Sequence, residues 1–433
     1  MPTRIGIRLE DKNEWERRTP LIPAHAKQLH DHYDIEVVVQ ASPTRAFTET
    51  EYLRAGAASA KTLSDCPVIF AIKEVPIELL EAGKTYIFFS HTIKGQKDNM
   101  PMLQRILDLG CQLIDYEKIV DAHGRRLVFF GDYAGMAGMI DALWALGKRL
   151  QEENISSPFE QIHQAHQYAD LAEAKSAIRM AGKEIIRNGL PQAIHPLIFG
   201  FAGYGNVSRG AQEVFDLLPV QVLSPRNLSE DQRFSLNSLY KVVFKEEDMV
   251  EPILEGKAFE LQDYYDHPER YRGIFETYIP YLTVLMNGIY WTERYPRLVT
   301  IKYLRSRFAE GDPPRLRVIG DISCDVNGAI ECNVGATTPG APIYVYDPIS
   351  GGAQPGYQGR GVVVLAVDNL PSELPRESSV HFSETLLPFV PEIAYADYNT
   401  SFEGSGLSDT IKRAVIAWHG KLMPDYQYLA RFL

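Results

Sequence analysis

Short apolar runs alternate with helix-like stretches through the first third of this chain. Residues 5–8, 35–40, 66–72 and 85–90 read as strands, and 23–32, opened by Pro23, as a helix. Such alternation predicts a parallel sheet flanked by helices, with ligands at the carboxyl ends of the strands. The small-residue run 134–139 opens a helix to about 150 and is read as the crossover into a second domain. Residues 151–164 are polar and loop-like, and 172–188 are amphipathic, stopped by Gly189 and Pro191.

A second βαβ pattern begins at about Pro196. An apolar run reaches Phe201, a glycine turn follows, and 210–218 is helix-like. The turn, Gly203-Tyr204-Gly205-Asn206-Val207-Ser208, lets the backbone approach a pyrophosphate while the helix N-terminus offers unpaired N–H groups. Ser208 holds the place of the third glycine, so the motif is weaker than its full form, and a plain structural turn is the other reading. Strands are expected at 220–223, 281–290, 317–322, 342–346 and 361–367, with 225–240 and 246–271 as decoration. From about 375 the chain is expected to return to the first domain, ending in a helix over 409–418. The fold class is therefore α/β: two Rossmann-like domains with parallel sheets, the nucleotide domain (134–375) inserted into a catalytic domain (1–133 and 376–433).

Composition adds limits. The 433 residues and 45% hydrophobic fraction suit two or three domains with real cores. A net charge of −12 argues against general nucleic-acid binding. The four cysteines are scattered without a C-x-x-C, which fits a reducing compartment. No signal-like or membrane-length apolar run stands out, so a cytoplasmic protein with no membrane or nucleic-acid partner is expected. Oligomeric state is not readable at this level.

The candidate chemistry sits at strand ends. Lys73 and His91 each follow an apolar strand and could face a cleft between domains, moving protons onto and off a carbonyl or imine. The bland reading makes them a solvated charge and a cap. Glu74 and Glu117 could tune them. Glu16, Arg17 and Arg18 follow the first strand, and an arginine fork fixes a carboxylate; of two adjacent arginines one faces solvent. Lys94 could add a second cation, or lie on the surface. Asp321, Asp325 and Asp368 also follow strands, and with no histidine near they read as hydrogen-bond partners of cofactor or substrate amines rather than metal ligands, or as loop carboxylates. The end of the expected second strand carries Ser224 and Arg226 and no acid, which suits a 2′-phosphate, so NADPH is favoured and NADH is the alternative.

Several ordered segments carry a resemblance: Trp15-Glu16-Arg17-Arg18, Phe88-Phe89-Ser90-His91-Thr92-Ile93-Lys94, Leu113-Ile114-Asp115-Tyr116-Glu117-Lys118, Gly205-Asn206-Val207-Ser208-Arg209-Gly210 and Asn287-Gly288-Ile289-Tyr290-Trp291. Together with Asp321-Ile322-Ser323 and Asp368-Asn369-Leu370-Pro371, they resemble the lysine–ketoglutarate reductase half of the bifunctional aminoadipic semialdehyde synthases, from about residue 4 to 430. A more distant likeness extends to lysine-forming saccharopine dehydrogenase and alanine dehydrogenase. The resemblance implies a reductase standing free of the second enzyme, which joins L-lysine to 2-oxoglutarate and reduces the imine with NADPH to saccharopine. It implies proton transfer by Lys73 and His91, tuned by Glu74 and Glu117. Substrate binding falls to Glu16, Arg18, Lys94 and Asp368, and pyrophosphate binding to Gly203, Gly205, Asn206, Val207 and Ser208. Ser224, Arg226 and Asp321 remain as further cofactor contacts. Asn13 stands where the lysine-forming relatives carry lysine, and residues 333–337 depart from the reductase half, which leaves the amino acid less defined than the reaction. The competing readings are an NAD-dependent lysine-forming or other opine-type dehydrogenase, and a non-catalytic dinucleotide sensor.

Overall fold

The computed structural model describes residues 3–229, 233–309 and 315–433. They form two compact units: Met1–Phe130 with Pro375–Leu433, and Gly131–Leu374 between those segments.

The first segment of unit 1 runs β1 (Thr3–Ile7), α1 (Pro23–Tyr33), β2 (Ile35–Gln40), α2 (Glu49–Arg54), β3 (Ala58–Ala60), β4 (Val68–Phe70), β5 (Thr85–Phe88), α3 (Met100–Asp108) and β6 (Gln112–Asp115). The apolar runs are strands because both sheet faces are covered: β4, β5 and β6 are buried at every residue. Local signals set the helix ends. Pro23 opens α1 and Asp34, at φ +51°, closes it, while Thr48 and Glu51 form a capping box on α2.

Unit 2 runs α4 (Gly131–Glu152), α5 (Leu171–Asn188), β7 (Ile198–Ala202), α6 (Asn206–Phe215), β8 (Val220–Leu223), β9 (Leu239–Phe244), α7 (Glu246–Met249), β10 (Val250–Pro252), α8 (Leu261–Asp266), β11 (Tyr271–Gly273), β12 (Val284–Asn287), α9 (Ile301–Ala309), β13 (Val318–Asp321), β14 (Ile343–Tyr346), β15 (Ala353–Pro355) and β16 (Val362–Leu365). Its main sheet is ordered β15-β14-β16-β13-β12-β7-β9-β8, parallel except for β14 and β15. Two findings differ from expectation. The strand beside β7 is β9, part of which falls in the segment read as decoration; β8 is an edge strand one place further out. The reason is burial: β9 is buried on both faces, its one charge, Lys241, paired with Asp216, whereas β8 is half-exposed and fit only for an edge. Residues 230–232 of the polar segment before β9 lie outside the described residues.

The chain then returns to unit 1 as α10 (Pro375–Leu386), α11 (Val390–Tyr395), α12 (Asp409–Lys412), β17 (Val415–Trp418) and β18 (Lys421–Leu422). The helix expected over 409–418 is thus a single turn followed by a strand. The run Val415-Ile416-Ala417-Trp418 pairs antiparallel with β6 and is wholly buried, so sheet closure overrides the helical spacing. The unit 1 sheet is ordered β18-β17-β6-β5-β4-β1-β2-β3. In both sheets the order of winding reverses beside the first strand of the unit, between β1 and β4 and between β7 and β12. Crevices for ligands form at such points.

Candidate active site

In unit 1 the chain leaving β4 passes the reversal point. Glu10, just past β1, is buried and accepts the N–H of Ile72 (2.6 Å) and of Lys73 (3.0 Å), one on each oxygen. Burial, then the charge of Glu16, pushes its carboxyl up to about 7 against the pull of those two amides. Lys73 is held at its backbone in this way. Its amine is pulled below the ordinary lysine value by burial and then by the Arg18 charge, with Glu16 opposing.

Glu74 presents Oε1 to His91 Nδ1 at 2.5 Å and Oε2 to Lys12 Nζ at 3.0 Å. Burial raises its carboxyl, but the His91 hydrogen bond and charge and the Lys12 charge outweigh that and bring it to about 2. His91 stands three residues past β5 with φ +49°, a backbone region few side chains adopt. Just before it, Ser90 donates its N–H and its hydroxyl to the buried Asp115, whose carboxyl burial lifts to about 6. Arg18 and Glu16 form a buried two-pronged pair, Nε–Oε1 2.7 Å and Nη2–Oε2 2.5 Å, with the guanidinium 4.2 Å from the centre of the Phe130 ring.

The structure therefore brings Lys73, Glu74, His91, Glu16 and Arg18 into one neighbourhood. Glu117 pairs instead with Arg126 at 2.7 Å, and Lys94 projects into solvent. Glu10, Lys12 and Asp115 were missed in the sequence. Glu10 carried a usable signal, an acid three residues past β1.

In unit 2 the glycine turn joins β7 to α6 at the other reversal point. Gly203 has φ +92°, and its N–H bonds the Phe244 carbonyl at 3.0 Å. Gly205 caps α6 without a side-chain bond, and a Cβ there would meet nothing within 4 Å. An open glycine turn against uncapped first-turn N–H groups has the form that accepts a dinucleotide pyrophosphate, and the backbone of Gly203, Gly205, Asn206, Val207 and Ser208 could hold it. Asp321 is not an open ligand: Asn287 Nδ2 (2.8 Å) and Asn333 Nδ2 (2.7 Å) occupy both oxygens, and burial raises it to about 6. Asp368 is exposed beyond β16. Ser224 and Arg226 follow the edge strand β8, not the neighbour of β7. The assignment of a 2′-phosphate to them assumed that neighbour and loses its basis. Among the described residues no cluster of three His, Cys, Asp or Glu side chains could hold a metal ion, and no helix is long and apolar enough to cross a membrane.

Comparison with known proteins agrees with this architecture. Residues 6–137 match the alanine dehydrogenase/PNT N-terminal domain, and residues 294–425 the C-terminal domain. An L-alanine dehydrogenase structure superposes with a TM-score of 0.62 at 17% identity, covering 99% of each chain. The alpha-aminoadipic semialdehyde synthase of Arabidopsis thaliana is 40% identical over 99% of this chain and 41% of its own length. The mitochondrial alpha-aminoadipic semialdehyde synthase of Bos taurus is 38% identical over 99% of this chain and 47% of its own. The chain spans less than half the length of these relatives. The fold is that of the dinucleotide-binding dehydrogenases, a class whose cofactor is NAD or NADP. Within that class the chain belongs to the alanine dehydrogenase/PNT family, and its full-length similarity there is to the alpha-aminoadipic semialdehyde synthases.

Proposed function

We propose that this chain condenses the ε-amine of L-lysine with the ketone of 2-oxoglutarate and reduces the resulting imine to saccharopine. The observation that carries this reading is the Lys73–Glu74–His91 group beside the Glu16–Arg18 pair. Imine formation needs a base to free the attacking amine and an acid to let the carbinolamine oxygen leave as water. Lys73, its amine pulled below the ordinary lysine value by burial and the Arg18 charge, is the group placed to take the proton of the incoming ammonium. His91, oriented by Glu74, delivers a proton to the departing hydroxyl. Arg18, fixed by Glu16, orients a substrate carboxylate. The bound nicotinamide supplies the hydride, and the glycine turn of unit 2 is the anchor for its pyrophosphate. The resemblance in sequence implies NADPH as the hydride donor, with NADH the alternative.

The test follows NADPH and NADH oxidation with 2-oxoglutarate, with and without L-lysine, and weighs the product. Lysine-dependent oxidation giving saccharopine supports the reading. Oxidation that ignores lysine, or a product of another mass, sinks it and moves the assignment to a different amine.

A further inference from the structure

Three hydrogen-bond donors converge on the buried Asp115 at the end of β6. Ser90 gives its N–H (3.2 Å) and its hydroxyl to Oδ2, and the Glu117 N–H reaches Oδ1 at 2.8 Å. A carboxylate accepts on both oxygens and satisfies all three, whereas an amide would turn its NH₂ toward a donor on one side. The Ser90 proton is spent on Asp115, so the Ser90 oxygen is left to accept from the Thr92 hydroxyl at 2.7 Å. Ser90, Thr92 and Asp115 are all closed to solvent. Strands β5 and β6 are already paired through their backbones, so this polar cluster is not needed to join them.

Between Ser90 and Thr92 stands His91. Its φ of +49° is a left-handed conformation that a residue with a Cβ keeps only where its surroundings over-determine it. Here they do so on both sides. Before it, Asp115 fixes Ser90, and the Phe89 N–H bonds the Ile72 carbonyl at 3.1 Å. After it, Thr92 is tied back to Ser90, and the His91 carbonyl accepts from Asn99 Nδ2 at 3.3 Å. Relaxation of His91 to a negative φ would strain these bonds and swing its Cα–Cβ bond, taking Nδ1 off Glu74 Oε1, now 2.5 Å away.

We infer that Asp115 is a positioning residue for the acid of the proposed reaction: through Ser90 it holds His91 in the left-handed conformation that keeps its ring on Glu74. With Nδ1–H committed to Glu74, Nε2 is the nitrogen that carries the delivered proton. The inference rests on the reading of His91 given above.

The test compares Asp115→Asn, Ser90→Ala and His91→Gln in the full chain. Asp115→Asn is expected to lower kcat for lysine-dependent oxidation of the reduced cofactor ~10-fold or more, with both substrate KM values within about 3-fold of wild type. Ser90→Ala is gentler, leaving Asp115 two backbone donors, and should lower kcat several-fold. On a His91→Gln background neither change should cost more than about 2-fold further, since the residue they hold is gone. A merely structural loss would persist there. A second readout needs no turnover: nitrogen NMR of histidine-labelled chain, the His91 signals assigned by their absence in His91→Gln. The neutral ring of the wild type should carry its proton on Nδ1 alone, and both variants should show a mixture of tautomers. A wild-type His91 spectrum in both variants overturns the inference, as does an equal loss of kcat with and without His91. If Asp115→Asn does not fold, Ser90→Ala decides. A wild type that makes no saccharopine removes the proposed reaction, while the spectra still decide whether Asp115 orders His91.

Discussion

Glu10 spends both carboxylate oxygens on the backbone of Ile72 and Lys73, so its influence on Lys73 runs through the main chain. Glu10→Gln keeps the shape but offers one acceptor for two N–H groups, which is expected to cost about 1–3 kcal/mol. It should also change the pH dependence of stability. The folded value near 7 lies above the ordinary 4.5, so the folded state holds a proton that the unfolded state has released. Stability from this group therefore falls as pH rises from about 5 to about 7, and thermal melts of Glu10→Gln should lose that part of the slope. Lys73→Met and His91→Gln should each lower kcat/KM roughly 100-fold or more, the double variant falling short of the product because the two act on one proton sequence. Steady-state kinetics decide this, and a double variant at wild-type rate removes both from the chemistry. The strand-end positions of Lys73, Glu74 and His91 were legible because each lies just past an apolar run. Glu117 was misplaced because chain proximity to a strand end does not say which partner the side chain meets, and Arg126 was nearer. Lys12 could not be foreseen, since its partner Glu74 is distant in sequence.

Helix α4 meets α6 through glycines. A Cβ on Gly135 would overlap the Val207 carbonyl, and one on Gly210 the Asp132 carbonyl, so backbone lies against backbone. Gly135→Ala is expected to destabilise by about 1–3 kcal/mol and, by displacing the first turn of α6, to weaken dinucleotide binding. Melting temperature and fluorescence titration report the two effects separately; a stable variant with normal binding would show that the helices can part without cost. The small-residue run was readable as a helix, but what it packs against was not. Strand β9 was hidden because a polar segment leads into it and its apolar run is short. Strand β17 was hidden because four buried residues after a helical turn read equally well in either periodicity.

Each unit encloses its own apolar core: Ile5, Phe88 and Val415 in one, and Met139, Phe199 and Val363 among those of the other. Residues 131–374 are one continuous stretch, so that fragment alone is expected to melt cooperatively and to bind a nicotinamide dinucleotide. A fragment of residues 1–130 should not fold, because β17 and the α10–α11 pair that complete its core come from the far end of the chain. Circular dichroism of the two fragments tests both statements, and a cooperative melt of 1–130 would contradict the second. The same pairing has a consequence during synthesis. On the ribosome β6 emerges roughly 300 residues before its partner β17, a wait of about 15–60 s at ordinary elongation rates. For that interval the nascent chain carries an unsealed sheet edge while unit 2 forms behind it, and the edge is where a chaperone holding the growing chain would find its grip.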